Sequence, residues 1–69
     1  MPTPDNLVYA ILDDNFQRNP QAVSVEGVSG LTRLDVTDVL RCLYRLERKR
    51  RIEAVRVEEV GIVGVSRTF

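Results

Sequence analysis

Basic side chains form the densest cluster of potential binding residues in this chain. Positions 41–51 hold six basic residues against a single acid, Glu47, a local balance of +5 in a chain whose net charge is zero. Positions 1–40 hold six acids against Arg18 and Arg33, a balance of −4. Such a cationic stretch favours contact with phosphate groups, whereas overall neutrality argues against a protein that coats nucleic acid without selectivity.

Catalytic chemistry has few candidate residues. The chain has no histidine and a single cysteine, Cys42, and its acids form no cluster with a base or a nucleophile. A lone cysteine is more often a small core residue than a reactive thiol, and it permits no internal disulfide. We therefore expect a protein that is not an enzyme and that uses no cofactor and no metal ion.

Spacing and capping residues predict three helices in the first two thirds of the chain, before the alternating pattern begins. Thr3 is the expected N-cap of the first helix, Ser24 of the second and Asp35 of the third. A very short strand is expected at Ala22-Val23. The three helices are predicted at about 4–18, 25–32 and 35–50.

The apolar period changes to two after the third helix, which predicts a two-stranded hairpin across positions 52–67. A three-residue loop, 59–61, with Gly61 in a left-handed conformation, would place Val57 opposite Val63 and Val55 opposite Val65.

The predicted core follows from the apolar faces of these elements. The first helix would bury one face, made of Leu7, Val8, Ile11, Leu12 and Phe16. The centre of the core is expected to consist of Ile11, Phe16, Val39, Leu43, Leu46 and Ile52.

The segment from Ser24 to Ala54 resembles, without a gap, the helix-turn-helix and wing entry of winged helix-turn-helix domains in bacterial and archaeal transcription regulators. The resemblance implies an α+β fold, three helices followed by a two-stranded β-hairpin wing, as one domain over residues 1–69. In that pattern Ser24 and Asp35 cap the second and third helices. This chain departs from it at Arg33, where the family usually has glycine, and at Ser29, where it usually has alanine.

Double-stranded DNA is the partner that this resemblance implies, with the third helix in the major groove. Val36, Thr37, Leu40 and Arg41 would face the bases, and among them Thr37 and Arg41 are the side chains that hydrogen-bond well to base edges. Glu58 and Glu59, at the tip of the wing, would repel phosphate. The predicted DNA-binding residues are Thr37, Arg41, Arg45, Arg48, Lys49 and Arg51.

A protein partner is the alternative. Val36, Leu40 and Tyr44 form an apolar stripe beside the arginines of the third helix. The stripe either belongs to the core, under the first helix or the tail, or is exposed and marks a protein interface. The same stripe, or the apolar edge of the hairpin, would also serve a homodimer. No apolar run approaches the ~20 residues that span a bilayer, and the first residues do not form a secretory signal, so we expect a cytoplasmic protein without membrane association.

Overall fold

Three helices precede a β-hairpin, in the predicted order and class. A computed structural model of the chain describes residues 4–69. The N-cap predicted at Thr3 lies outside the described residues. The elements are α1 (Pro4–Arg18), β1 (Val23–Ser24), α2 (Val25–Thr32), α3 (Val36–Arg48), β2 (Ile52–Val57) and β3 (Gly61–Thr68). The third helix ends two residues before the predicted boundary, because Arg50 adopts a left-handed conformation with φ of 58°.

The connection between α2 and α3 uses side chains as well as backbone. Ser24 caps α2 as predicted, since its Oγ accepts a hydrogen bond from the Gly27 amide at 3.0 Å. Arg33 ends the helix in a left-handed conformation with φ of 61°, which glycine adopts at lower cost than arginine. Asp35 does occupy the N-cap position of α3, but its carboxylate makes no capping hydrogen bond, so that part of the prediction is wrong.

The core lies between the three helices and the inner face of the hairpin. Val39, Leu43, Leu46 and Ile52 are buried there, as predicted. Ile11 was expected at the centre, but it is only partly buried and lies outside the cluster of buried side chains. The fully buried residues from the first and second helices and the last strand are Val8, Leu12, Val28 and Val65.

The first helix is rotated relative to the predicted burial face. Leu7 is 47% exposed, whereas Asp5 is only 8% exposed. Phe16 is partly buried and packs at the edge of the core instead of its centre. The buried face of α1 includes Asp5, which forms a hydrogen-bonded ion pair with Arg45 of α3, and the apolar pattern of α1 does not indicate this contact.

The sheet has the order β1-β3-β2, and all pairings are antiparallel. The predicted hairpin register is wrong: Val57 pairs with Gly61 and Val55 with Gly64. Register shifts between Glu53 and Ala54 and between Val55 and Arg56 interrupt the alternation, so a strict period of two does not hold. As a result Val55 and Val57 are exposed, while Ile62 and Val65 enter the core.

Within residues 4–69, no helix is both long enough and apolar enough to cross a membrane.

Candidate functional site: the two exposed sides of α3

The third helix separates its side chains by chemistry. One side packs into the core through Val39, Cys42, Leu43 and Leu46. The side opposite the core carries Thr37, Arg41 and Arg48, all exposed, and we call these three residues the basic side. Within residues 4–69, neither arginine of the basic side forms an ion pair. Helical geometry puts Arg41 and Arg48 two turns apart, about 10 Å along the helix axis.

Arg45 was predicted to stand with these arginines, and the structure instead pairs it with α1. Its Nε donates to both carboxylate oxygens of Asp5, at 3.0 and 2.8 Å, and its Nη2 donates to Oδ1 at 2.8 Å. These hydrogen bonds hold the pKa of the Asp5 carboxyl below its ordinary value, against an opposing effect of burial. The Arg45 side chain remains 48% exposed, and its Nη1 donates no hydrogen bond within the described residues.

Cys42 lies directly behind this ion pair. It is 1% exposed, and Arg45 Nη2 approaches its Sγ at 3.6 Å. Burial, together with the nearby Asp5 carboxylate, raises the pKa of the Cys42 thiol. A thiol that is buried and kept protonated is a packing residue and not a nucleophile.

A cleft of about 340 Å³ lies on this flank of α3. It is lined by Pro4, Leu34, Asp38, Arg41, Cys42 and Arg45.

The remaining predicted cations lie at the end of α3. Lys49 is exposed at the C-cap, where its amide donates to the Arg45 carbonyl at 3.1 Å. Arg51 turns away from the basic side, because its guanidinium stacks on the ring of Tyr9 in α1 at 4.0 Å from the ring centroid. The structure therefore brings Thr37, Arg41 and Arg48 together and separates Arg51 from them.

Tyr44 connects α3 to the hairpin. Its hydroxyl accepts a hydrogen bond from the Ile62 amide at 3.2 Å, and the Arg56 guanidinium lies 5.5 Å from its ring centroid. Arg56 also forms an ion pair with Glu47, one turn further along α3. Gly61 lies under the Tyr44 hydroxyl with φ of 98°, and a Cβ there would come within 2.3 Å of that oxygen. Tyr44 thus positions the hairpin beside α3.

A groove runs along the hairpin side of α3. It has a volume of about 200 Å³ and lies between the start of α2, the first turns of α3 and the hairpin. Val36 and Leu40 of the predicted apolar stripe line it, whereas Tyr44 does not. We call this the apolar groove; its lining residues are Val25, Glu26, Val36, Leu40, Val60, Ile62 and Val63.

One acidic residue lines the apolar groove, and two more adjoin it in the turn of the hairpin. Glu26 is part of its wall, and Glu58 and Glu59 immediately precede Val60 in the exposed turn of the hairpin. Among the described residues none of these three glutamates forms an ion pair, and no basic residue lines the groove. The two exposed sides of α3 therefore differ in charge as well as in polarity.

Sequence reasoning found half of this groove and missed the other half. Val60 was assigned only to the loop, although a large apolar residue that is 69% exposed at the tip of a turn is itself a signal of a contact surface. In the sequence, Asp5 is an acid in the first turn of a predicted helix, where it would complement the helix dipole. Its partner is 40 positions away, and nothing in the spacing of α1 indicates it.

Comparisons with protein-family models, with curated proteins and with solved structures found no match to this chain.

Proposed function

We propose that the chain is a winged helix-turn-helix domain that binds double-stranded DNA through the basic side of α3. The observation that carries this proposal is the pair Arg41 and Arg48, exposed opposite the core and without an acidic partner within residues 4–69. The fold name is supported by the order of elements, with α2, α3 and the hairpin in succession and β1 added to β3.

The basic side fits the major groove in size and chemistry. That groove, about 12 Å wide, admits one α-helix. Arginine donates two hydrogen bonds to guanine, and threonine reaches base edges or the thymine methyl group, so Arg41 and Thr37 supply the base contacts. Arg48 and Lys49 supply phosphate contacts, and Arg45 adds one through the nitrogen that Asp5 leaves unused.

Salt dependence tests this function directly. Fluorescence anisotropy with a labelled mixed-sequence duplex, over a series of salt concentrations, gives the slope of log affinity against log salt. Each phosphate neutralised contributes roughly −0.9 to that slope on B-form DNA. We expect Arg48→Ala to weaken binding and to make the slope less steep by about this amount, whereas Arg41→Ala should weaken binding and relax the preference for particular sequences.

Arg18→Ala is the matched control, because Arg18 is an exposed arginine of α1 that already pairs with Asp14. It should leave both affinity and slope unchanged. If Arg41→Ala and Arg48→Ala bind like Arg18→Ala, the basic side does not contact DNA.

A protein-docking function is the second candidate, and the apolar groove is the observation that favours it. Its volume of about 200 Å³ is below the roughly 300–1,000 Å³ of small-molecule pockets, so it fits a few side chains of a partner better than a free ligand. Val36 and Val60, both exposed, would be covered by such a partner.

Sedimentation of the chain over a range of protein concentrations decides whether this partner is a second copy. A dimer that Val60→Asp dissociates would assign the groove to self-association. A dimer that instead responds to Val55→Asp would assign self-association to β2, whose outer edge is unpaired in the described sheet. A monomer leaves the apolar groove available to another polypeptide.

A further inference from the structure

We propose that the apolar groove binds a cationic amphipathic segment of another polypeptide, with apolar side chains on the groove floor and lysine or arginine side chains at its acidic rim. This inference rests on the docking function proposed above and is independent of DNA binding by the basic side. Its evidence is the combination of an apolar floor with three unpaired acids.

The floor of the groove selects apolar side chains. Ile62 and Val25 are buried at its base, while Val36 and Val60 stand exposed on its two walls. Covering the walls removes apolar surface from water, worth roughly 25 cal/mol for each Å². Leu40, partly buried between them, joins this surface to the core.

The rim selects positive charge. Glu26 lines the groove from α2, and Glu58 and Glu59 are the two exposed residues that immediately precede Val60, which lines it from the hairpin. Negative charge therefore lies in the groove on the α2 side and next to the groove on the hairpin side. The nearby cation Arg56 pairs with Glu47, and those two charges compensate each other. An acidic occupant, or the phosphate backbone of a nucleic acid, would be repelled at this rim.

The occupant is a different chain and not a second copy, on grounds of charge. The densest basic stretch of this protein, residues 48–51, contains no apolar side chain, so it offers nothing to the groove floor. The exposed apolar residues Leu7 and Leu31 have no basic side chain within two positions of them except Arg33. Other exposed apolar residues do adjoin arginines, but those arginines are engaged within the domain: Arg45 pairs with Asp5, Arg56 pairs with Glu47, and Arg67 lies over the Phe69 ring. Val36 and Leu40, which lie near Arg41, already line the groove of their own copy, and a contact between the grooves of two copies would bring like charges together.

Two synthetic peptides test the proposal. One alternates leucine with lysine, and the other has glutamate at every lysine position, so their apolar content is equal and their charge opposite. Methyl resonances of the valines and leucines of the 69-residue chain report the site of binding. We expect the lysine peptide to shift the methyl resonances of Val36, Leu40 and Val60 saturably. The resonances of Leu7 and Leu31, which are exposed outside the groove, serve as controls and should not shift. The lysine peptide should bind about tenfold more tightly than the glutamate peptide.

Variants distinguish peptide binding at the groove from general electrostatic attraction between the peptide and the protein. Val60→Asp lies in an exposed turn and leaves the core intact, and it should abolish the groove shifts. Replacing Glu26, Glu58 and Glu59 together with lysine should reverse the preference between the two peptides. Glu53→Lys is the matched control, since Glu53 is an exposed acid of β2 that does not line the groove, and the preference should persist.

The outcomes distinguish the inference from the function on which it rests. Equal or tighter binding of the glutamate peptide, with shifts in the groove, would overturn the cationic partner but leave docking at this surface standing. Shifts confined to residues outside the groove, or none with either peptide, would overturn docking there altogether. A dimer that Val60→Asp dissociates would likewise overturn the inference, because a second copy would then be the occupant.

Discussion

Arg45 of α3 forms an ion pair with Asp5, in the first turn of α1, through three hydrogen bonds of 2.8–3.0 Å, and the two residues are 40 positions apart in the sequence. These hydrogen bonds hold Asp5 on the buried face of α1 and engage one cation of α3 that would otherwise be available to a ligand. We expect the ionised Asp5 carboxylate to contribute to the stability of the domain.

Asp5→Asn should lower the stability of the domain near neutral pH and have progressively less effect in acid. Arg45 holds the folded-state pKa of the Asp5 carboxyl below the value of about 3.9 that aspartate has in an unfolded chain, so the ion pair contributes fully above that unfolded-state value. The contribution is lost as pH falls through the lowered folded-state pKa, where the wild-type carboxyl also becomes neutral. Thermal unfolding of both proteins over a pH series should therefore give melting curves that converge at low pH.

Asp14→Asn is the control for this experiment, since Asp14 forms an exposed i,i+4 pair with Arg18 and such pairs contribute little. A constant difference in melting temperature between wild type and Asp5→Asn at every pH would show that lost packing, and not lost charge, causes the effect.

In DNA binding we expect Arg45→Ala to weaken affinity less than Arg41→Ala, because Asp5 already neutralises Arg45.

Gly61→Ala should destabilise the hairpin by about 1–2 kcal/mol from left-handed strain alone, because Gly61 has φ of 98°. The added methyl group would also displace the Tyr44 hydroxyl, which lies 2.3 Å from the position of that Cβ, and break its hydrogen bond with Ile62. Chemical denaturation measures the total loss. The double variant Gly61→Ala, Tyr44→Phe should lose less free energy of unfolding than the sum of the two single variants, because it lacks the Tyr44 hydroxyl oxygen with which the added methyl group would clash.

Gly30→Ala should change the stability of the domain in the opposite direction, and it serves as the matched control. Gly30 lies inside α2, and a Cβ there meets nothing within 4 Å. Alanine is favoured over glycine in a helix by roughly 0.5–1 kcal/mol, so this variant should be more stable than the parent. Equal effects of the two substitutions would contradict the conformation assigned to Gly61.

The helices were predictable from sequence because their signals are local. Ser24 caps α2 through an amide three residues away, and Val39, Leu43 and Leu46 repeat at helical spacing. The hairpin register was not predictable, because its two irregularities depend on which residues the core accepts: Ile62 and Val65 both turn inward despite an odd spacing. The period of two assumed in the sequence cannot represent that arrangement.

The candidate site likewise combines features that the sequence predicts with features that it does not. Thr37, Arg41 and Arg48 share a face because they share a helix, and a helical wheel is sufficient to group them. The apolar groove requires Val60 and Val63 to meet Val36, and this depends on how Tyr44 and Glu47 hold the hairpin against α3. Contacts between elements distant in sequence decided that half of the site.

Replacing Glu58 and Glu59 with lysine should change the two proposed activities in opposite directions. Both side chains are exposed in the turn of the hairpin, next to Val60 of the apolar groove, and the proposed winged-helix function would place this turn along the DNA backbone. The double replacement turns two repulsive charges into attractive ones for phosphate, so DNA affinity should rise and the salt slope should become steeper by up to about 1.8 if both lysines reach phosphates. The same change removes two of the three acids at the groove rim, so the lysine peptide should bind more weakly. Glu53→Lys adds positive charge at the other end of β2 and should produce neither effect. Unchanged or lower DNA affinity of the double variant would show that the turn of the hairpin does not contact the DNA backbone, and unchanged or tighter binding of the lysine peptide would show that the two glutamates do not contact the partner.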